Sequence, residues 1–483
     1  MKTRIFLLLI SLSALSIANA QQAITLKQAI ETSLANNISI KQGANAIESA
    51  RIGLEQDRMS RLPSFNAGAG QSINFGRSVN PYDNQVVENQ QVNSNNLSLS
   101  ASVNLFNGFQ NRYSIQQKEL NLKAGNEDLG TTRNNIILGV VESYANVLGN
   151  KALLASAKSQ LESTRAQIER TEKLVAAGKL ASAFLFDLKA QLATEETNQV
   201  IAENNLELAK LNLAQWMQVS PEGVQDVIEP NLNFNTAADK SAAEVYAQAE
   251  SNQPQIKAAQ TRVLSSEKGI DLAKSAFYPS LVLQGGLFTN YSSLAKKVII
   301  TPLETPVYRK FGDFLLEDAV SGTEIPVSIS QRIDASQNLQ ELSWGNQFNN
   351  NLRQGVSLNL NIPIFNGYQA RYAQENARIG KRNAELQLEQ EKNRLRQTIE
   401  SAVANEKAAR KRMEAVEKQI KALEESWRLS EQRFNLGVLN SVDYLQAKNN
   451  LSRAENDKAR FRYDFFIRRA LLDFYIGKEL DFN

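Results

Sequence analysis

Residues 98–109 read SLSASVNLFNGF, and residues 357–368 read SLNLNIPIFNGY. In both stretches polar and apolar residues alternate until an Asn-Gly pair ends the alternation. A period of two places Leu99 and Val103 on one face of a strand and Ser100 on the other. The apolar face packs on a protein core in a soluble sheet, or on lipid in a membrane barrel. Each stretch therefore predicts a two-faced strand that turns tightly into the polar segment that follows.

Composition excludes several classes of function. The 483 residues contain 54 Lys and Arg against 51 Asp and Glu, and neither Cys nor His. The near balance of charge argues against a basic surface for nucleic acid. The absence of Cys and His excludes thiol nucleophiles, disulfides, thiolate or imidazole metal sites and histidine acid–base catalysis. Since no phosphate-binding loop or catalytic carboxylate pair stands out either, we expect no enzyme activity and no cofactor.

The first residues have the pattern of an export signal. Lys2 and Arg4 precede an apolar run, residues 5–15, and residues 18–20 (ANA) provide the small side chains of a cleavage site. We therefore predict a signal peptide over residues 1–20. The apolar run is shorter than the roughly 20 residues of a spanning helix, which argues against an anchor. No later run approaches that length, so an exported chain of this sequence would span a membrane with strands.

A long helix is predicted after each strand. Residues 111–177 contain no proline and could form one helix of 67 residues, about 100 Å long. Its seventh-residue repeat consists of Leu154, Leu161, Ile168 and Val175. Such a heptad seam indicates coiled-coil packing. Gly178 is predicted to end this helix and Ser182 to cap the helix that returns.

The second half of the chain repeats the first. A second long helix, residues 370–436, and its turn glycine Gly437 follow 259 positions after the first helix and Gly178. Residues 278–280 (YPS) match residues 62–64 (LPS) at an offset of only 216. The second copy therefore holds extra residues between its two strands. Two such agreements along the chain indicate an internal duplication.

These boundaries divide the exported chain into two structural repeats. The first, residues 21–244, is predicted to contain a helix, strands 64–76 and 95–106, the long helix 111–177, a return helix 180–218 and a connector 219–244. The second, residues 245–483, is predicted to contain a helix, strands 280–291 and 352–364, an extracellular loop 292–350, the long helix 370–436 and a return helix 440–477.

Four strands of about 10 to 13 residues can cross a bilayer but cannot close a barrel. An open sheet edge is forbidden in lipid because its backbone groups have no partners. Either the strands lie outside a membrane or several chains share one barrel, and three chains would supply twelve strands. A helical hairpin of about 100 Å likewise has too little self-contact to bury both of its seams, so it needs neighbours.

These features resemble the TolC family of outer-membrane efflux proteins over residues 24–477. The resemblance rests on the duplicated LFNGF (105–109) and IFNGY (364–368) motifs, on the two strand entries quoted above and on FNLGVLNSVDYL (434–445) at a helical turn. It implies an α+β membrane protein with an internal duplication. The family fold is a homotrimer with a shared twelve-stranded β-barrel in outer-membrane lipid, four strands per chain, and a long α-helical coiled-coil barrel in the periplasm. The implied partners are a periplasmic adaptor (membrane fusion) protein and an inner-membrane transporter.

The resemblance also points to a periplasmic gate, where the helical turns of the family converge and acidic residues face the axis. Asp443 matches the first acid of the family motif, and Gln446 stands at the position of the second. In the first repeat Asp187 is the equivalent of Gln446. A basic residue of some members is replaced by Leu439, which argues against closure by that type of charge pair. The alternative is that Asp443 lies in a helix's first turn because the helix dipole favours a carboxylate there.

The two helical turns are candidates for adaptor docking. They consist of Gly178, Lys179 and Leu180 in the first hairpin and of Gly437, Val438 and Leu439 in the second. Their structural role is to end one helix and start the next. Docking is implied by the resemblance alone.

Three functions stay open at this point. The leading one is the exit duct of a tripartite efflux system, a passive outer-membrane channel for drugs or other small toxic compounds. The second is the outer-membrane outlet of a type I protein secretion system, which a generic tunnel does not distinguish from the first. The third, of another class, is a coiled-coil envelope scaffold without a pore, which predicts no insertion into the outer membrane.

Overall fold

A computed structural model describes residues 23–79, 84, 86–88, 91–230, 240–318 and 320–478. The predicted signal peptide lies outside these residues. The chain divides into two compact units. One is helical and combines residues 1–55, 114–270 and 373–483, while the other holds the strands and combines residues 56–113 and 271–372. No helix of the described residues is long and apolar enough to cross a membrane.

The helices and strands are numbered here in chain order. They are α1 Leu26–Asn36, α2 Ile38–Met59, β1 Ser64–Asn74, β2 Ser78–Val79, β3 Val86–Val87, β4 Val92–Asn107, α3 Gln110–Ala176, α4 Ala183–Met217, α5 Ala242–Asn252, α6 Pro254–Lys274, β5 Ser280–Ser292, β6 Lys296–Glu317, β7 Glu324–Glu341, α7 Trp344–Asn350, β8 Arg353–Asn361, α8 Gln369–Asn435 and α9 Ser441–Tyr475. The long helices α3 and α8 have 67 residues each, and each begins and ends one residue before its expected bounds.

The segment before each strand pair contains two helices where the sequence suggested one. α1 and α5 begin at capping boxes formed by Thr25 and Ser241. α1 ends at Asn37, whose side chain accepts a hydrogen bond from the Ser39 N–H at 2.8 Å and so competes with helical bonding. α5 ends at Gln253 because the following proline disfavours helical geometry in the residue before it.

The largest apolar cluster of the helical unit joins α1, α3, α4 and α9. At its centre Tyr144 is fully buried. The Tyr144 hydroxyl lies 2.7 Å from the carbonyl oxygen of Ile24 and 2.5 Å from that of Ile228. These carbonyls flank a parallel bridge between Ile24 and Val227. One side chain on α3 therefore holds the start of the described chain against the segment that follows α4.

The main sheet has the strand order β1-β4-β5-β8, and all its neighbours are antiparallel. β8 ends at Asn361, short of the expected residue 364, because Pro363 has no N–H to donate to a neighbouring strand. The strand-to-helix junctions have the same geometry in both repeats. Gly108 and Phe109 have φ of 63° and 66°, and Gly367 and Tyr368 both have φ of 63°. Two successive left-handed residues turn the chain sharply from strand to helix.

The main sheet has the four strands expected from the sequence, but residues 292–350, expected to be an extracellular loop, are not irregular. That segment contains α7 and a two-stranded sheet of β6 and β7, and β2 pairs with β3 in a further short sheet. Pro302, Pro306 and Pro326 suggested a loop in this segment. They are tolerated because each strand of a two-stranded ribbon has a free edge, where a missing N–H costs no ladder bond. The register also shifts between Pro302 and Val307, which accommodates two of the three prolines.

Candidate functional site

The register of the main sheet sorts its side chains into two faces, since residues directly opposite each other on neighbouring strands share a face. One face carries Phe65, Ala67, Leu97, Leu99, Leu281, Leu283, Leu287, Val356, Leu358 and Leu360. The other carries Asn66, Gly68, Ser98, Ser100, Ser102, Gln284, Ser357 and Asn359, together with two apolar residues, Val282 and Phe288. On the apolar face Val356 is 81% exposed, Phe65 73% and Leu360 62%. Such a wall is suited to separate lipid from water.

The two edge strands of this sheet are incomplete. Among the described residues, β1 pairs only with β4, and β8 pairs only with β5. Because each step across the sheet reverses direction, β1 and β8 run antiparallel to each other. Unpaired backbone groups are not tolerated in lipid. A membrane-embedded sheet of this kind therefore needs a further strand at both edges.

The helical turns end α3 and α8 with the same hydrogen-bond pattern. Gly178 has φ of 67° and Gly437 φ of 74°. In the first turn the Gly178 N–H donates to Val175 and the Lys179 N–H to Leu174, both at 2.9 Å. In the second the Gly437 and Val438 N–H groups donate to the equivalent carbonyls. This pair of bonds is a Schellman motif, which requires a left-handed residue at the glycine position.

Side chains at the turn tips are accessible. Lys179 and Val438 are exposed, while Leu180 and Leu439 are partly buried. The backbone of both turns is therefore fixed by its own hydrogen bonds, and side chains beside the glycines stay available for contact.

The two return helices begin differently, and the predicted Ser182 cap is wrong. Ser182 has helical dihedral angles and makes no side-chain capping bond. α9 is capped by Asn440 instead, whose side-chain oxygen accepts the Asp443 N–H at 2.8 Å. Asn440 also donates from its amide nitrogen to Asp443 Oδ2 at 2.9 Å. The residue equivalent to Ser182, Ser441, lies one position inside the helix and has another partner.

The three gate candidates occupy separate hydrogen-bond sets. Asp187 Oδ2 accepts a hydrogen bond from Ser441 Oγ at 2.6 Å. Exposed Asp443 is bonded to Asn440, as described above. Gln446 donates to Asn450 Oδ1 at 3.3 Å. The structure therefore brings Asp187 to the start of α9, while the bonds of Asp443 and Gln446 stay within α9 and its cap.

An aromatic cluster that the sequence did not reveal lies beside these residues. The ring centroids of Phe434 and Tyr444 are stacked at 4.4 Å, and Phe184 meets Phe434 edge-on at 5.7 Å. Leu188 completes the buried set. Burial raises the pKa of the Tyr444 hydroxyl. Phe434 and Tyr444 both lie in the turn motif quoted above, but only the folded chain shows that they touch. The cluster joins the end of α8 to the starts of α4 and α9.

A buried ion pair was missed as well. Lys448 Nζ lies 3.6 Å from Glu195 Oε1, and the two side chains are 5% and 4% exposed. Lys448 also donates to Thr164 Oγ1. Burial lowers the pKa of Lys448, and Glu195 opposes that shift. The signal in the sequence was the position of Glu195, seven residues after the apolar Leu188 and so on the same side of α4. Within the described residues no group of His, Cys, Asp and Glu is arranged to hold a metal ion.

Comparison with known proteins agrees with this geometry. The chain matches the family described as "Outer membrane efflux protein" over residues 29–217 and 245–478. It is 22% identical to the outer membrane protein TolC of Escherichia coli (strain K12) in a match of 477 residues that covers 97% of this chain and 85% of that protein.

Two solved outer-membrane channels share the fold. VceC of Vibrio cholerae has a TM-score of 0.72 and 16% identity, covering 94% of this chain and 96% of that one. CmeC of Campylobacter jejuni has a TM-score of 0.71 and 17% identity, covering 94% of this chain and 85% of that one.

The exposed apolar sheet face, the long helical hairpins and these matches together define an outer-membrane channel protein with a TolC-like α+β fold. The chain belongs to the outer membrane efflux protein family. Its location is the outer membrane, from which it extends into the periplasm, and it is not an enzyme. The resemblance noted from the sequence is thereby confirmed, and the family is one of channels rather than pore-less scaffolds.

Proposed function

We propose that three copies of this chain form the outer-membrane exit duct of a tripartite efflux system. The duct passes drugs or other small toxic compounds from an inner-membrane pump and a periplasmic adaptor to the outside. The observation that carries this proposal is the four-stranded sheet with two free, oppositely directed edges. Placing β8 of one copy beside β1 of the next continues the antiparallel order, and three copies supply the twelve strands of a closed barrel.

The two faces of the sheet fit such a barrel. The face with Phe65, Val356 and Leu360 would meet lipid, and the face with Ser98, Ser100 and Ser102 would line an aqueous lumen. Small polar residues leave that lumen open to diverse solutes. A passive duct needs energy from its partners, which is the reason for including the pump and the adaptor in the proposal.

Cysteine cross-linking tests the shared barrel directly, because the natural chain contains no Cys. Asn66 lies on the polar face of β1 and Asn359 on the polar face of β8. After oxidation, Asn66→Cys with Asn359→Cys should give a covalent trimer in denaturing gels. Each single variant can give at most a covalent dimer and serves as the control. A double variant that stays monomeric under all oxidising conditions, beside a wild type that is monomeric in detergent, would overturn the trimer.

The gate is the second part of the proposal. We assign Asp443, Asp187 and Gln446 to a periplasmic constriction near the helical turns. The support is the hydrogen bond between Asp187 and Ser441 and the position of Asp443 in the first turn of α9. An acidic ring would give the closed channel a preference for cations.

The turns at Gly178, Lys179 and Leu180 and at Gly437, Val438 and Leu439 are assigned to adaptor docking. Their fixed backbone and exposed side chains are suitable for a small rigid contact. A bulky charge, Gly437→Arg, should abolish export while trimers persist. The control is Gly322→Arg, which changes a glycine of similar φ, 65°, in the turn between β6 and β7. Equal export by Gly437→Arg and wild type would exclude that turn as a docking site.

The cargo is tested by deleting the gene and measuring drug susceptibility and the secreted proteome side by side. We expect increased susceptibility to several small toxic compounds, restored by the wild-type gene. Loss of one secreted polypeptide with unchanged susceptibility would identify the outlet of a type I secretion system instead.

A further inference from the structure

A hydrophilic crevice lies between α3, α4 and α9 in the helical unit. It consists of two adjoining cavities of about 680 Å³ and about 260 Å³. Both are lined by Asn150, Leu153, Asn205 and Arg460, so the two form one continuous space. The larger volume falls within the range of about 300–1,000 Å³ that is usual for small-ligand pockets.

The lining is rich in carboxamides. Six asparagines face the crevice, namely Asn146, Asn150, Asn198, Asn205, Asn212 and Asn456. Each carboxamide offers two donors and an acceptor. Two aromatic side chains, Trp216 and Tyr463, line the wider cavity. Trp216 lies against Gly139, where a Cβ would overlap the indole ring. The crevice therefore combines neutral hydrogen-bonding groups with aromatic surfaces.

Two buried oxygens of lining residues have no hydrogen-bond partner among the described residues. They are Ser143 Oγ, from a residue of the wider cavity, and Glu195 Oε2, from a residue of the narrower one. Both residues are more than nine-tenths buried. An unpaired buried polar atom is destabilising, so native proteins rarely keep one without a water or ligand beside it. Neither oxygen is accessible at the surface of the crevice, so the asparagines of the lining, which offer both donors and an acceptor, are what indicate the ligand.

The charges of the lining are nearly balanced by residues around it. Glu195 is paired with Lys448. Asp464 is paired with Arg412 at 2.9 Å and with Arg468 at 3.1 Å. The two other charged lining residues, Glu142 and Arg460, have opposite signs. An ionic ligand would therefore find no excess of opposite charge, and a neutral one is favoured.

Part of this polar lining is replaced by apolar residues in the second repeat. At the offset of 259, Ser143, Asn150 and Asn212 correspond to Ala402, Ala409 and Leu471. Ala402 and Ala409 are buried in α8. The same helical positions thus pack with apolar residues in one repeat and line a polar crevice in the other.

We propose that this crevice binds a neutral saccharide. Sugar hydroxyls would exchange hydrogen bonds with the asparagines that line the crevice. The apolar faces of the rings would lie against Trp216 and Tyr463. In the periplasm this chemistry is available from free oligosaccharides and from the glycan strands of the cell wall. The site is independent of which compounds the duct exports.

The test uses the intact protein purified in a detergent without a sugar head group. N,N′-Diacetylchitobiose and cellobiose are titrated by calorimetry, and binding to cell-wall sacculi is measured by co-sedimentation. The triple variant Ser143→Ala, Asn150→Ala, Asn212→Leu introduces the residues or close equivalents of the second repeat. It should retain the thermal midpoint of the wild type within a few degrees and weaken binding at least about tenfold, the effect of losing one or more hydrogen bonds.

A matched pair of single variants separates the crevice from the rest of the helices. Asn146→Ala changes a lining residue, and Asn405→Ala changes its counterpart 259 positions later, which is equally exposed but lies outside the crevice. We expect only Asn146→Ala to weaken binding. Disaccharide binding without sedimentation would identify a free saccharide, and sedimentation lost in the triple variant would identify the cell-wall glycan. If the wild type neither binds the disaccharides nor sediments with sacculi, or if the wild type and the triple variant bind equally, the proposal is overturned.

Discussion

Ser441 at the start of α9 donates a hydrogen bond of 2.6 Å to Asp187 in α4. The two residues belong to different repeats and are 254 positions apart. Two residues further along α9, Asp443 is bonded to the cap residue Asn440 instead. The first turn of α9 therefore has one bond across the hairpins and one that is local, and the two can be broken separately.

Removing the bond across the hairpins should loosen the proposed closed state. Ser441→Ala deletes the donor to Asp187, and we expect a larger single-channel conductance in planar bilayers. Ser441→Thr keeps a hydroxyl at this position and is the control. Because Asp187 is exposed, the effect on stability should be small, about 1 kcal/mol or less. Identical conductance in the alanine variant and the wild type would show that this bond does not hold the channel closed.

Removing the charge at Asp443 tests the proposed acidic ring. Asp443→Ala keeps the backbone N–H that caps on Asn440, so the start of α9 is preserved. We expect a higher conductance and a weaker preference for cations. Asp457→Ala, on the exposed surface of the same helix, is the control. If conductance and ion preference both stay at wild-type values, the carboxylate serves only the helix dipole.

Tyr144→Phe should destabilise the helical unit. The substitution leaves the carbonyls of Ile24 and Ile228 without their hydroxyl partner in a buried site, a loss of about 1–3 kcal/mol. Thermal unfolding followed by circular dichroism measures the change. Tyr308→Phe, at a residue that is 60% exposed, should leave the midpoint unchanged. An unchanged midpoint for Tyr144→Phe would mean that water replaces the hydroxyl.

The two junction glycines provide a matched comparison, since Gly108 and Gly367 have the same φ of 63°. Alanine at either site must adopt a left-handed conformation, at about 1–2 kcal/mol. At Gly108 the new Cβ would also overlap the carbonyl oxygen of Ser275, whereas nothing lies within 4 Å at Gly367. Gly108→Ala should therefore lower the folded yield and the midpoint more than Gly367→Ala. Equal losses would show that backbone strain alone matters at both junctions.

Alkaline unfolding should report on Tyr463. Burial, and then the neighbouring Glu229, raise the pKa of Tyr463 to about 12 in the folded chain, against about 10 in an unfolded one. A raised folded pKa contributes stability below pH 10 that is lost as the pH rises to about 12, about 2–3 kcal/mol in total. Tyr463→Phe should therefore lose less stability over this interval than the wild type, measured by urea unfolding at each pH. If the unfolding free energies of the wild type and of Tyr463→Phe change with pH in the same way, the pKa of Tyr463 is not raised by folding.

Local sequence rules predicted the regular parts of this protein well. Heptad spacing and the absence of proline indicated both 67-residue helices, and alternation indicated the two faces of the main sheet. The rules failed where the conformation or the bonding of a residue depends on a partner that is distant in the sequence. Proline in the β6–β7 segment suggested a loop, but pairing along the whole ribbon gives strands. Ser182 is a residue type that often caps helices, but it has helical dihedral angles and makes no capping bond. Its equivalent in the second repeat, Ser441, bonds to Asp187 of the first repeat.

The sequence by itself determined the duplication, the alternation of polar and apolar residues, the turn glycines and the composition that excludes most chemistry. The alternation and the turn glycines depend on neighbours within a few residues, whose spacing is fixed by helix and strand geometry, and the duplication and the composition can be read without any structure. Only the tertiary structure decided the Lys448–Glu195 pair, the Phe434–Tyr444 stack and the polar crevice. Each combines side chains from different helices, and its energy depends on burial that exists only after those helices pack.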